Sequence, residues 1–240
     1  MLKDLKIKIF ADGADLENIK ELCKNSLIKG FTTNPSLMKK RGITDYKEFA
    51  LEVLKVAEEK PVSFEIFADD FESMEKQALE ISTWGKNVNV KIPITNTKGE
   101  STVKLISRLS KNGVICNVTA IFTIEQIKNV VSHLDPSTPA ILSVFAGRIA
   151  DSGIDPMSIM KKSVSISKMK PKSEILWAST REIINIFQAE DAGCQIITVP
   201  HELLNKFSTV GKRLENYSLE TVTAFHNDAK AAGYSIKTTK

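Results

Sequence analysis

The chain has 240 residues, 42% hydrophobic and 26% charged, a soluble globular composition long enough to bury a core without disulfides or metal clips. A formal net charge of +4 with no dense basic run excludes a nucleic-acid partner, and no apolar stretch has the length of a membrane span or a signal peptide. Three widely spaced cysteines, Cys23, Cys116 and Cys194, with no CxxC or clustered Cys/His spacing, argue against a disulfide framework and a metal site and for a reducing, cytoplasmic location.

Along the chain, short apolar and β-branched runs of strand length fall at 7–11, 30–33, 62–67, 88–92, 114–118, 140–144, 174–178 and 195–199. Amphipathic, helix-like stretches fill the intervals at 16–27, 46–59, 72–84, 101–111, 123–133, 157–168, 181–192 and 201–207. Thr123 and the Asp155-Pro156 pair are helix-start signals, and Gly113 and Gly193 sit where helices should end. About eight βα units predict an α/β protein, a single (β/α)8 TIM barrel spanning residues 1–240. A doubly wound sheet is the competitor, but neither GxGxxG nor GxxxxGK[ST] is present to support its nucleotide-binding versions. A further helix at 218–232 is left over to cap the barrel or pack on another subunit.

In such a barrel, alternate strand residues face the interior, and those near the C-terminal strand ends face the active site. The polar exceptions within these apolar strands fall at matching heights: Asp12, Asn34, Glu65, Lys91, Asn117 and Thr119, Ser143 and Ser179. The inward faces should then be Ser63, Glu65, Phe67 on the third strand and Asn89, Lys91, Pro93 on the fourth. Lys91 carries the most information, because lysine is almost never buried unpaired. Desolvation disfavours its ammonium form, and a neutral amine can attack a carbonyl. A structural pair with Glu65, or a side chain that snorkels to solvent, is equally compatible with spacing alone. Asp12 and Glu65 suit general acid/base work, although Asp12 taken singly fits a helix-start residue better. Arg148 and Arg181 follow the sixth and seventh strands, where barrels commonly bind phosphate; either could equally be an ordinary surface arginine. Trp177 and Phe145 read first as core, the three histidines as surface or core residues, and Cys116 and Cys194 as small buried hydrophobes.

Five stretches, taken together and in order, resemble the transaldolase family: 30–37 (GFTTNPSL), 90–93 (VKIP), 116–122 (CNVTAIF), 143–148 (SVFAGR) and 178–181 (ASTR). The resemblance covers nearly the whole barrel. It implies that Lys91 forms an imine with a ketose, that Asp12 exchanges a proton at the carbon–carbon bond being broken, and that Glu65 and Thr119 hold an assisting water. It further implies that Thr33, Asn34, Asn117, Ser143 and Phe145 shape the site for the three-carbon unit, and that Arg148, Ser179 and Arg181 bind phosphate. No cofactor or metal is implied, since the protonated imine is itself the electron sink.

The implied reaction moves a dihydroxyacetone unit from a ketose phosphate, sedoheptulose 7-phosphate or fructose 6-phosphate, to an aldose phosphate such as glyceraldehyde 3-phosphate, as in the pentose phosphate pathway. Two alternatives stand beside it: a fructose 6-phosphate aldolase releasing free dihydroxyacetone, and a non-catalytic sugar-phosphate-binding barrel. The aldolases of this family carry glutamine and tyrosine where this chain has Glu65 and Phe145, which favours transfer. Sugar phosphates are thus the expected partners, with no nucleic acid and no membrane, and the final helix makes a homo-oligomer the expected assembly.

Overall fold

The computed structural model describes residues 2–238. Eight parallel strands close into a barrel in chain order: β1 (Lys8–Asp12), β2 (Ile28–Thr32), β3 (Val62–Glu65), β4 (Val88–Pro93), β5 (Cys116–Ile121), β6 (Ala140–Val144), β7 (Ser173–Trp177) and β8 (Ile196–Pro200). The barrel shuts where β1 pairs with β8, from Lys8↔Ile196 to Asp12↔Pro200. Around it run α1 (Leu16–Cys23), α2 (Pro35–Lys40), α3 (Tyr46–Ala57), α4 (Phe71–Ser82), α5 (Val103–Lys111) and α6 (Ile124–His133). They are followed by α7 (Ala146–Asp151), α8 (Met157–Ser167), α9 (Ile184–Asp191) and α10 (His201–Leu204), and α11 (Leu214–Ala231) trails the barrel. The expected (β/α)8 architecture with an additional C-terminal helix is the one observed.

The period-2 alternation of the strands sorts their side chains into two layers. The outer layer joins strand residues such as Ile9, Phe64, Val90, Val118 and Trp177 to helix residues such as Ile19, Val53, Ala78, Ile106 and Met160. Burying each of the larger aliphatic side chains among these is worth roughly 1.5–3 kcal/mol, which fixes the helices on the sheet. The inner layer is small and one-sided: Phe10, Ile141, Leu176, Ala178 and Ile196, with Phe145 packed against it. These come from β1, β6, β8 and β7 with its exit, while Ser63, Asn89, Lys91, Asn117 and Thr119 are buried on β3–β5. Apolar inward side chains thus cluster on β1 and β6–β8, whereas the inward side chains of β3–β5 are polar. Phe10 fills it so closely that a Cβ at Gly30 would stand 2.6 Å from the ring, so β2 needs glycine opposite this phenylalanine.

Several boundaries differ from those the pattern suggests. The third strand stops at Glu65, and Phe67, expected on the inward face, is 49% exposed. The backbone N–H groups of Phe67 and Ala68 both donate to Gln77 Oε1 on α4, at 2.8 Å each, and draw the chain off the sheet. The helix expected from 181 begins at Ile184, because Asn185 Oδ1 accepts from the N–H groups of Arg181 and Glu182 and holds them as a turn. Neither α2 nor α7 was expected, yet α2 has a legible start in the Asn34 N-cap with Pro35 in its first turn. Thr123 forms a full capping box with Gln126 on α6, and Gly113 and Gly193 adopt φ of 79° and 80° just past α5 and α9. The final helix begins at Leu214, earlier than the expected 218, and buries none of its side chains.

Candidate active site

A cavity of about 370 Å³ opens at the C-terminal ends of the strands. Lys91 is its centre. Val88, Val90 and Ile92 belong to the outer core, which leaves Lys91 pointing into the lumen at 8% exposure. Its Nζ lies 3.0 Å from Glu65 Oε2 and 3.1 Å from the carbonyl oxygen of Thr33. The pairing follows from register, since Glu65 stands directly opposite Lys91 across β3 and β4. An enclosed amine beside a carboxylate is an arrangement able to supply a nucleophile with a proton acceptor in contact. Tyr46 on α3, which the sequence pattern does not single out, donates its hydroxyl to the backbone carbonyl of Glu65 at 3.0 Å. Its ring packs edge-on against Phe64 and Trp84, so an apolar cluster anchors the end of β3, and burial pushes the phenol well above its ordinary range.

Asp12 enters the same cavity from β1. Its Oδ1 accepts from Thr32 Oγ1 at 2.7 Å, and its Oδ2 faces Asn34 Nδ2 at 3.4 Å. Burial pushes its carboxyl above the usual range; Lys91, Thr32 and Asn34 pull against that shift, and Glu65 adds to it. The helix-start role open to Asp12 falls instead to Asp15, which caps α1 by accepting from Asn18 N at 2.9 Å. Asn34 has two tasks, since its Oδ1 accepts from Leu37 N to cap α2 while its amide nitrogen reaches Asp12. Thr32 and Thr198 also line the cavity. Each is a polar residue at an inward strand position that the sequence pattern does not single out.

On the polar wall, Thr119 presents a buried hydroxyl with no partner among the described residues, a group that calls for a bound water or ligand atom. Asn117 is fully buried beneath the cavity floor. It donates from Nδ2 to Ser63 Oγ at 2.9 Å and accepts from Ser143 Oγ at 2.7 Å. Ser143 lines the cavity, so its proton points away and its lone pairs face the space above. Thr33 is likewise fully buried, its hydroxyl committed to the Ser63 carbonyl at 3.0 Å. Neither Thr33 nor Asn117 touches the cavity directly; the first meets Lys91 through its backbone carbonyl and the second acts through Ser143.

The opposite end of the cavity is built from the exits of β6 and β7. Arg148 extends from α7 with its guanidinium 5.5 Å from the centre of the Phe145 ring, and Phe145 packs on Phe122. Arg148, Phe145 and Ser179 all border the cavity. Arg181 does not; it is exposed and ion-paired with Asp151. The two exits are fitted closely, since a Cβ on Gly147 would come within 1.6 Å of the Ser179 carbonyl oxygen. Only glycine can stand there. Ser179 and Ala120 have φ of 64° and 58°, the left-handed region that is costly for residues with a Cβ. Both line the cavity, so two of the most constrained backbone positions lie at the site. Cys116 and Cys194 are buried, with thiols pushed up to about 12 by burial, which makes them inert packing groups. Among the described residues no cluster of three or more His, Cys, Asp or Glu side chains could hold a metal ion, and no helix is long and apolar enough to cross a membrane.

This arrangement can be set beside known proteins. Residues 9–238 match the family described as Transaldolase/Fructose-6-phosphate aldolase. A "Probable transaldolase" of Dehalococcoides mccartyi is 39% identical over 199 residues, covering 82% of this chain and 88% of its own length. One of Thermoanaerobacter sp. (strain X514) is 34% identical over 231 residues, covering 96% of this chain and all of its own, 100%. Solved structures share the fold alone. A Burkholderia cenocepacia J2315 protein whose description names a lyase/mutase superposes with a TM-score of 0.58 at 10% identity, over 97% of this chain and 87% of its own. A Coccidioides immitis protein described under the dihydrodipicolinate synthase family gives 0.55 at 11% identity, over 93% and 76%. The family match spans the barrel from β1 to the segment after α11, and on that ground the chain belongs to the transaldolase/fructose-6-phosphate aldolase family of enzymes.

Proposed function

We propose that residues 1–240 form a single-domain cytoplasmic transaldolase that moves a dihydroxyacetone unit from a ketose phosphate to an aldose phosphate through an imine on Lys91. The observation that carries this reading is the placement of the Lys91 amine, 3.0 Å from Glu65, in one cavity with Asp12 and Thr119. Glu65 takes a proton from Lys91, whose freed amine attacks the ketose carbonyl; Glu65 returns the proton to the hydroxyl of the adduct, which leaves as water, and a protonated imine remains. Asp12 removes the proton from the hydroxyl two carbons beyond the imine carbon. The carbon–carbon bond breaks, its electron pair passes into the imine to give an enamine, and the shortened aldose departs. An acceptor aldehyde then takes the carbon nucleophile, Asp12 returns the proton, and water hydrolyses the new imine.

The remaining residues divide by position. Ser143, held by Asn117, and Asn34 meet hydroxyls of the three-carbon unit. Thr119, with its unpartnered hydroxyl, holds the water with Glu65. Arg148 and Ser179 take the phosphate, with Arg181 as an outer cation that must release Asp151 to join them. Thr33 contributes through its carbonyl and its packing.

Transfer is favoured over free aldol cleavage because Phe145 offers no hydroxyl at the cavity wall and Glu65 is an acid rather than an amide. With fructose 6-phosphate alone, release of dihydroxyacetone should be slow, and adding an aldose phosphate should raise turnover. The assay is enzymatic detection of free dihydroxyacetone beside that of the aldose product. Equal rates with and without acceptor would make the protein an aldolase; sugar-phosphate binding with no turnover in either assay would make it a binding barrel.

We also propose a homo-oligomer. Leu214, Leu219, Val222 and Phe225 on α11 are 61–79% exposed, an apolar helix surface that the other described residues leave open. Sedimentation should therefore give a multiple of 26.6 kDa, and a monomer at micromolar concentration would contradict it.

A further inference from the structure

The carboxylate that moves the proton in this mechanism is tied to two hydroxyls in series. Thr32 Oγ1 donates to Asp12 Oδ1 at 2.7 Å, and the same oxygen lies 2.5 Å from Thr198 Oγ1 on β8. Thr32 is 3% exposed and Thr198 7%. Thr32 has one proton, and Asp12 takes it, so the second contact is made by Thr198 donating to Thr32. A hydroxyl that itself accepts a hydrogen bond is a stronger donor. The pair bridges the two neighbours of β1, since Phe10 stands in register with Thr198 on one side and Asp12 with Thr32 on the other. The backbone at Thr198 is pinned as well, because Thr180 Oγ1 donates to its carbonyl at 2.7 Å.

We propose that Thr198 is a positioning residue for proton transfer at Asp12: by donating to Thr32 it strengthens the bond that holds Asp12 Oδ1, leaving Oδ2 turned to the reacting hydroxyl. The inference rests on the proposed role of Asp12 and deepens it. Other charged groups also face Asp12. Lys91 of β4 and Glu65 of β3 lie across the lumen, and Arg148 of α7 borders the same cavity. On its other side Asp12 borders a second cavity of about 250 Å³, where Asp15, Lys40, Arg41, His201 and Glu202 lie. Substitution at Thr198 leaves every one of them in place, so any change in the pH profile reports the hydroxyl chain.

The test compares Thr198→Val, which keeps the shape without the hydroxyl, with Thr198→Ser, which keeps the hydroxyl. The readouts are the pH profile of kcat/KM for fructose 6-phosphate, the kcat and KM separately, the thermal midpoint, and the yield of borohydride-trapped adduct. In Thr198→Val the acid limb should move to higher pH, because an ionised Asp12 is less well held, and kcat should fall by about five- to tenfold, the usual scale for one lost hydrogen bond. KM, thermal midpoint and adduct yield should stay close to those of the unmodified enzyme, and Thr198→Ser should restore the profile. A valine variant whose profile superimposes on that of the unmodified enzyme would overturn the inference. So would a serine variant as impaired as the valine one, or a loss of kcat matched by a loss of thermal midpoint in both. If the unmodified enzyme traps no sugar, the functional reading falls and takes this inference with it; trapping with an unmoved profile sinks the inference alone.

Discussion

Lys91→Ala and Lys91→Arg should each lower kcat/KM by about 10⁴-fold or more, the scale seen when a covalent nucleophile is removed. Alanine deletes the amine and leaves Glu65 facing the cavity without its cation. That alone can lower stability, because an uncompensated buried charge is costly. Arginine removes this ambiguity. It keeps a positive charge beside Glu65, but its guanidinium is never deprotonated and cannot form the imine. Loss of turnover in both variants, with a normal thermal midpoint in the arginine one, isolates the nucleophile from the ion pair. Turnover in Lys91→Arg within tenfold of the unmodified enzyme would assign Lys91 a structural role and remove it from the chemistry.

Asp12→Asn should separate the two halves of the reaction. Proton transfer by a placed side chain contributes about 10²–10⁴-fold, and kcat should fall by that order. Imine formation, which the proposed mechanism assigns to Lys91 and Glu65, should persist. Borohydride with fructose 6-phosphate should then trap the whole sugar phosphate on the variant, whereas the unmodified enzyme should accumulate the shorter three-carbon adduct. The same substitution should raise stability at neutral pH. Burial raises the Asp12 carboxyl above its ordinary range, so between the unfolded and folded values the native protein binds more protons than the unfolded chain. Stability from this group is present below that window and is lost as pH rises through it. At neutral pH, above the unfolded value, Asp12 therefore carries a cost that asparagine does not, and the gain in thermal midpoint should vanish at acid pH. A thermal midpoint lowered at neutral pH, or a three-carbon adduct on the variant, would contradict the account of Asp12.

Much of this was legible in the chain, for identifiable reasons. Strands β1 to β8 were read from their apolar runs because a closed parallel barrel buries both faces of each strand. Lys91 and Glu65 stood out because a charge in such a run is rare. What escaped was set by long-range partners. Phe67 looked like the next inward residue on β3, but Gln77 on α4 takes its N–H and turns it outward. Asn117 looked like a sugar ligand, yet Ser63 and Ser143 lie within reach of its amide and occupy it. Arg181 looked like a phosphate clamp and is found on Asp151. Thr32 and Thr198 were missed because a threonine is ordinary in a strand; only the closure of β1 between β2 and β8 brings the two hydroxyls together. Tyr46 was missed because nothing local distinguishes a helix tyrosine that packs on Phe64 from one that also holds Glu65.

The most direct measurement is peptide mass spectrometry of the unmodified enzyme after borohydride reduction in the presence of fructose 6-phosphate. A three-carbon addition on the peptide carrying Lys91, and on no other lysine, is the predicted result. An unmodified Lys91 peptide, or an adduct spread over surface lysines, would contradict it.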